Sequence, residues 1–151
     1  MTAYRLVGAG SGDLEAARPL WRLFAFDIVR ELGGPPSAVA SGVSETRLAG
    51  GNVDVEVMRW AKNLGIPYAP FPYPTVAELT AHGIDVSKLH RPAKAAGPIR
   101  NGWMAQWAAE APVPLVGVVA VLWNGYSPGS ASMLHEARKR DLLIFERVVE
   151  Q

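Results

Sequence analysis

The stretch that most limits what this chain can become is PLVGVVAVLW, residues 114 to 123, an uncharged run with valine at four positions. It is far shorter than the roughly 18 apolar residues a membrane-spanning helix needs, and too rich in β-branched side chains to favour a helix. Its apolar residues are continuous and do not alternate with polar ones, the pattern of a strand buried on both faces. Strands of that kind occur in parallel sheets, whose crossover connections lay helices on either side.

The remaining sequence supplies such helices. Tyr4 to Gly10 (YRLVGAG) is a short apolar run ending in glycine, after which Leu14, Ala17, Trp21, Phe24, Ile28 and Leu32 follow at helical spacing. Pro19 lacks an amide hydrogen and suits only a first turn, so a start near Arg18 is indicated and the boundary stays open. After GGPP, the segment SAVASG reads as a second short buried strand. From Asn52, Val53, Val57, Trp60, Ala61 and Leu64 mark a second amphipathic helix that Gly65 ends. IPYAPF is a third strand, and Thr75 with Glu78 has capping-box spacing for a short third helix. Residues 82 to 98, rich in turn formers and basic side chains, read as a surface loop. Pro98 then opens a helix with Ile99, Trp103, Met104, Trp107 and Ala108 on its apolar face. Beyond the long strand, Ser127 is placed as an N-cap with Pro128 next and Met133, Leu134 and Ala137 facing inward, and LLIFERVV closes the chain as a last strand. The alternation predicts one α/β domain over residues 1 to 151, a three-layer Rossmann-like fold with about five mainly parallel strands and helices on both faces.

Composition narrows the partners. A net charge of +1 with 49% hydrophobic residues is neither a disordered tail nor a generally basic nucleic-acid coat, so any anion binding must be local. The absence of cysteine excludes disulfides and thiolate zinc sites, and His82, His90 and His135 lack metal-ligand spacing, so no cofactor and no metal is expected. The opening residues have neither the basic region nor the apolar core of a signal peptide, which makes a cytoplasmic protein without membrane contact the expectation. Trp103 and Trp107, on one helical face, belong to the core or to a homodimer interface.

In an open parallel sheet a ligand sits beyond the carboxyl ends of the strands, where strand order reverses. Glycine-rich segments fall at three such ends: GAGSG (8 to 12) with Gly10 and Ser11, SGVSETRLAGGN (41 to 52) with Ser41, Gly42, Gly51 and Asn52, and WNGYSPGS (123 to 130) with Asn124, Gly125 and Ser127. Each leads toward a helix N-terminus, whose free amides and partial positive charge suit phosphate or carboxylate. For any one loop alone, glycine is as readily explained by backbone conformation. GAGSG is not a dinucleotide fingerprint, since position 13 is Asp, and no GxxxxGK[ST] loop is present. Lys88, His90, Arg91 and Lys94 read equally as a solvated loop or as a basic lid.

Three segments in order, GGNVDVEVMRWAKNLGIP, KAAGPIRNGWM and VAVLWNGYSPGSASMLHEAR, resemble the YspA-like branch of the SLOG superfamily, the Rossmann-like group that also holds DprA and the LOG phosphoribohydrolases. The similarity runs from about residue 38 to 149, with AGPIRN its most specific motif. It implies a site for a nucleotide-derived small molecule. Asp54 would stand on the helix after the glycine turn, Arg100 would fork onto an anionic group, Asn101 would orient that group or a ribose hydroxyl, and Gly129 with Ser130 would cradle phosphate. The alternative for Arg100 is that it caps a neighbouring strand end.

Two departures bear on activity. The catalytic glutamate expected of LOG enzymes aligns with Met133, whose thioether offers neither acid nor charge, leaving Asp54 or Glu56 as substitutes. The residues 43 to 49 lengthen the second turn, so Glu45 and Arg47 are placed to reshape or cover the site. Binding or sensing of a nucleotide-derived molecule is therefore the leading expectation. LOG-like N-glycosidic hydrolysis is the alternative, and DprA-like binding of single-stranded DNA through the basic 88 to 100 stretch is the third.

Overall fold

A computed structural model of the chain describes residues 2–49 and 51–151; Gly50, within the second glycine-rich turn, lies outside the described residues. Five strands form one parallel sheet: β1 (Tyr4–Gly10), β2 (Ala38–Ser41), β3 (Tyr68–Pro70), β4 (Val116–Trp123) and β5 (Leu143–Val148), in the order β3-β2-β1-β4-β5. The connecting helices are α1 (Ala17–Leu32), α2 (Asn52–Asn63), α3 (Val76–Ala81), α4 (Pro92–Ala109) and α5 (Pro128–Lys139). This is the three-layer α/β arrangement that the sequence predicts. Strand order reverses between β1 and β4, so the crevice of the fold lies beyond Gly10 and Trp123.

Side-chain alternation along the central strands feeds two cores. Leu6, Val118, Ala120 and Leu122 pack with Trp21, Phe24 and Ile28 of α1 and with Val53, Val57 and Ala61 of α2. Val7, Ala9, Val119 and Val121 face Met104, Ala105 and Ala108 of α4 and Met133, Leu134 and Ala137 of α5. Every residue from Val118 to Leu122 is buried, which is why that strand shows no polar alternation. α1 starts at Ala17, placing Pro19 in its first turn, where the missing amide costs nothing. Thr75 and Glu78 form the reciprocal capping box.

The segment 82 to 98 departs from its reading as a loop. Val86–Lys88 form a single 3-10 turn and α4 begins at Pro92, so Pro98 lies inside the helix and not at its start. It is Pro92 that occupies the first turn, and Ala95 and Ala96, strong helix formers, carry the helix up to Pro98. The buried stripe shifts with it. Ala96, Arg100, Asn101, Met104, Ala105 and Ala108 face inward, whereas Ile99, Trp103 and Trp107 are only half-buried. Trp107 lies edge-on to Phe71 under the Arg5 guanidinium, and Trp103 stacks on His82 at 4.2 Å. Among the described residues no helix is long and apolar enough to cross a membrane.

Candidate functional site

AAGPIRN does not begin a helix. It supplies the second and third turns of α4, so Arg100 reaches the sheet's carboxyl edge from a helix flank, and no N-terminal amides of α4 accompany it. At that edge lies a small cavity of about 160 Å³ lined by Ala9, Gly10, Gly12, Asp54, Tyr73, Arg100, Asn101, Ser127, Gly129 and Ser130. A second cavity of about 450 Å³ shares Tyr73, Arg100, Asn101 and Gly129 with it and adds Lys94, Gly97, Pro98, Pro128 and Ser132. The two form an inner chamber and an outer one with common walls.

Arg100 is the electrostatic centre. It is only 6% exposed, and its guanidinium donates to the Gly42 carbonyl at 3.2 Å and weakly to Asn101 Oδ1 at 3.5 Å. The Tyr73 ring covers it 4.2 Å from the guanidinium carbon, a cation–π contact strengthened by the loss of water. Among the described residues Arg100 Nε has no hydrogen-bond partner, and neither has the hydroxyl of Ser130, which is 2% exposed. Two unmatched buried polar atoms beside one cavity cost free energy until something answers them.

The loop before α5 has the geometry that the sequence predicts. Ser127 accepts from the Ser130 amide at 3.3 Å as an N-cap, and Asn124 Oδ1 accepts from the amides of Tyr126 and Ser127. The Gly129 amide, at the second helical position, has no acceptor among the described residues. Asn101 Nδ2 donates to the Gly129 carbonyl at 3.1 Å and to Ser132 at 3.3 Å, bolting α4 to the first turn of α5.

Asp54, in the first turn of α2, is 4% exposed and lines the inner chamber. Its Oδ2 and the Arg100 guanidinium both converge on Gly42, where an added Cβ would lie 2.8 Å from the first and 2.7 Å from the second. No direct ion pair joins them among the described residues, and burial raises the Asp54 pKa to about 7 against the opposing pull of Arg100. The unfolded carboxyl ionises near its ordinary value of 3.8, so between about pH 4 and pH 7 the folded state holds the extra proton and stability falls as pH rises. Thermal unfolding scans from pH 4.5 to 7.5 are expected to show this decline, and Asp54→Asn to flatten it.

The other sequence-predicted residues surround the chamber without all entering it. Gly10, Ser127, Gly129 and Ser130 line it. Ser11 lies behind the wall: its amide donates to Leu122 and its hydroxyl accepts from the Asn124 amide, tying the loop after β1 to the loop after β4. Ser41 donates to the Asp54 carbonyl at 2.8 Å and fixes the start of α2. Gly51, at φ 100°, presses against Gly12, and the Asn52 amide and side chain bond the Gly12 and Leu14 carbonyls. Asn124 and Gly125 instead line a separate hollow with Asp13, Glu15, Tyr126 and the C-terminal residues.

Of the basic run, Lys94 alone lines either chamber; Lys88, His90 and Arg91 are exposed. Met133 is fully buried in the core under α5. Residues 43–49 clasp the neighbouring loop and do not fill the chamber: Arg47 bonds the Tyr73 carbonyl and Glu78, while Glu45 pairs with Lys62. Tyr73 was missed by the sequence reading. Its only local signal is the rigid PYP tripeptide of 72–74, and nothing in that points to an arginine on α4. No family model, no curated protein and no solved structure matches the chain.

Proposed function

We propose that the protein binds or senses a nucleotide-derived small molecule, with its phosphate in the inner chamber and the rest of the ligand in the outer one. The observation that carries this reading is the buried Arg100 with its unpartnered Nε beside the unpartnered Ser130 hydroxyl and the free Gly129 amide, a donor set without an acceptor. The outer chamber supports it. Its walls are Tyr73, Pro98 and Pro128, with Lys94 as a charge, a surface suited to a flat ring carrying further polar groups. The resemblance of these segments to the SLOG superfamily agrees with such a ligand, and a homodimer and a cytoplasmic setting belong to the same proposal. Titration calorimetry against nucleoside mono-, di- and cyclic phosphates is expected to give saturable heat with at least one class. Absence of heat and of any thermal shift across the whole panel would overturn the reading.

One observation favours hydrolysis as a second reading. A buried carboxyl that titrates near neutrality is suited to protonate a leaving base, and Asp54 supplies one inside the chamber although Met133 cannot. Chromatographic detection of free base from nucleoside monophosphates, lost in Asp54→Asn, is the result this reading requires. Intact substrate at high protein concentration rejects it.

A further inference from the structure

The inner chamber brings a carboxyl group and the proposed oxyanion seat into one space. Asp54, Arg100 and Ser130 all line a cavity of about 160 Å³, hardly larger than a phosphate with its ester carbon and a sugar fragment, so a bound anion stands within a few ångströms of the Asp54 carboxyl. Arg100 offers a single positive charge, and its carboxylate neighbour already draws on it across Gly42. A second and third negative charge beside the buried Asp54 and Arg100 would leave the chamber strongly anionic. The backbone that carries Asp54 is held at the chamber wall by the Ser41 hydroxyl on its carbonyl and by the Asn52 bonds to Gly12 and Leu14, and its side chain is buried.

We infer that the seat takes its oxyanion together with one proton from solvent, carried by Asp54, which in the complex is a neutral acid donating a hydrogen bond to the anion. The inference rests on the reading of the inner chamber as an oxyanion seat and adds to it a rule of selection: the site favours strong oxyanion acceptors and loses them as the solution becomes alkaline. A carboxyl held near neutrality before any ligand arrives needs little further push to take up that proton.

The charged and titratable groups around Asp54 are few. From α4 it meets Arg100, and from β3 the Tyr68 hydroxyl, whose pKa is raised to about 12 and which bonds Ser41 and the Val43 carbonyl. The rest of the chamber wall around Asp54 is Tyr73 from the loop before α3, Asn101 from α4, Ser127, Gly129 and Ser130 at the start of α5, and Ala9, Gly10 and Gly12 at the end of β1, none of them charged. Glu56, on its own helix, is paired with Arg18 and Arg59. No histidine lines either chamber.

Inorganic sulfate is the probe that tests this, because it does not change charge between pH 5.5 and 8.5, whereas phosphate does. Sulfate affinity, read from the ligand-dependent rise in Tm, is expected to be level at the acid end and to weaken roughly tenfold per pH unit once Asp54 ionises. At pH 8 an indicator titration in weak buffer is expected to register uptake of close to one proton per sulfate bound. Asp54→Asn is expected to bind sulfate with a pH-independent affinity that exceeds wild type at pH 8, and Arg100→Ala to abolish the response, locating it in the chamber. If Asp54→Asn does not fold, the proton count on the wild-type protein decides alone. Sulfate binding without pH dependence or proton uptake, or a slope that survives in Asp54→Asn, overturns the inference and leaves the oxyanion seat standing. No sulfate response at any pH overturns both.

Discussion

Arg100→Ala is expected to weaken binding of the tightest member of the nucleotide panel by roughly 30- to 700-fold, about 2–4 kcal/mol, the range found when one partner of a buried charge-assisted contact is truncated. The loss is large because, among the described residues, no other lines the inner chamber with a permanent positive charge; Lys94 reaches only the outer one. Arg100→Lys is expected to fall between the two, since an ammonium keeps the charge but not the planar fork or the full contact with Tyr73. Truncation also removes the donor to the Gly42 carbonyl, so folding is checked alongside binding. At pH 6 the neighbouring Asp54 is already mostly protonated, so deleting the guanidinium strands no carboxylate. Titration calorimetry at that pH, with circular dichroism as the check on folding, measures the effect. A variant that binds within threefold of wild type removes Arg100 from the site.

The second large effect falls on stability. Gly10→Ala is expected to cost about 3 kcal/mol or more and to lower Tm by roughly 6–12 °C for a chain of this size. A methyl group there would overlap the Leu122 carbonyl of β4 and lie 2.7 Å from the Val53 side chain, so either the central strands part or α2 lifts from the sheet. Neither neighbour can yield easily, because Leu122 is paired with Arg147 of β5 and Val53 is fully buried. Gly12→Ala, two residues on in the same loop, meets only Gly51 Cα at 3.8 Å and is expected to stay within about 1 kcal/mol of wild type. Thermal and urea unfolding of the pair separates a spatial demand at Gly10 from a general intolerance of the loop.

These two residues differ in how far the sequence revealed them. Gly10 could be placed at a strand end from the apolar run before it, and the parallel sheet followed from the unbroken apolar character of 114–123, because those signals are local and periodic. The surroundings of Arg100 are not local. Its partners come from the loop after β2, the loop before α3 and its own helix, so periodicity could name the arginine but not the tyrosine ring over it. The burial of Asp54 was equally hidden: an acidic residue in the first turn of a helix reads as a surface charge favourable to the dipole, and the groups around it, Arg100 of α4, Gly42, and Tyr68 of β3, come from distant parts of the chain. The start of α4 was misplaced for a different reason. Two prolines each fit the first-turn rule, and the choice between them depended on how much helix the alanines between could sustain.

The backbone contact between Gly12 and Gly51 has a bearing on evolvability. Two loops that touch main chain to main chain make a wall with no side chain to rotate, so the recess behind it has a size that point mutations cannot easily retune. Adaptation to new guests would fall to the outer vestibule, where the exposed Lys94 is replaceable without disturbing that masonry.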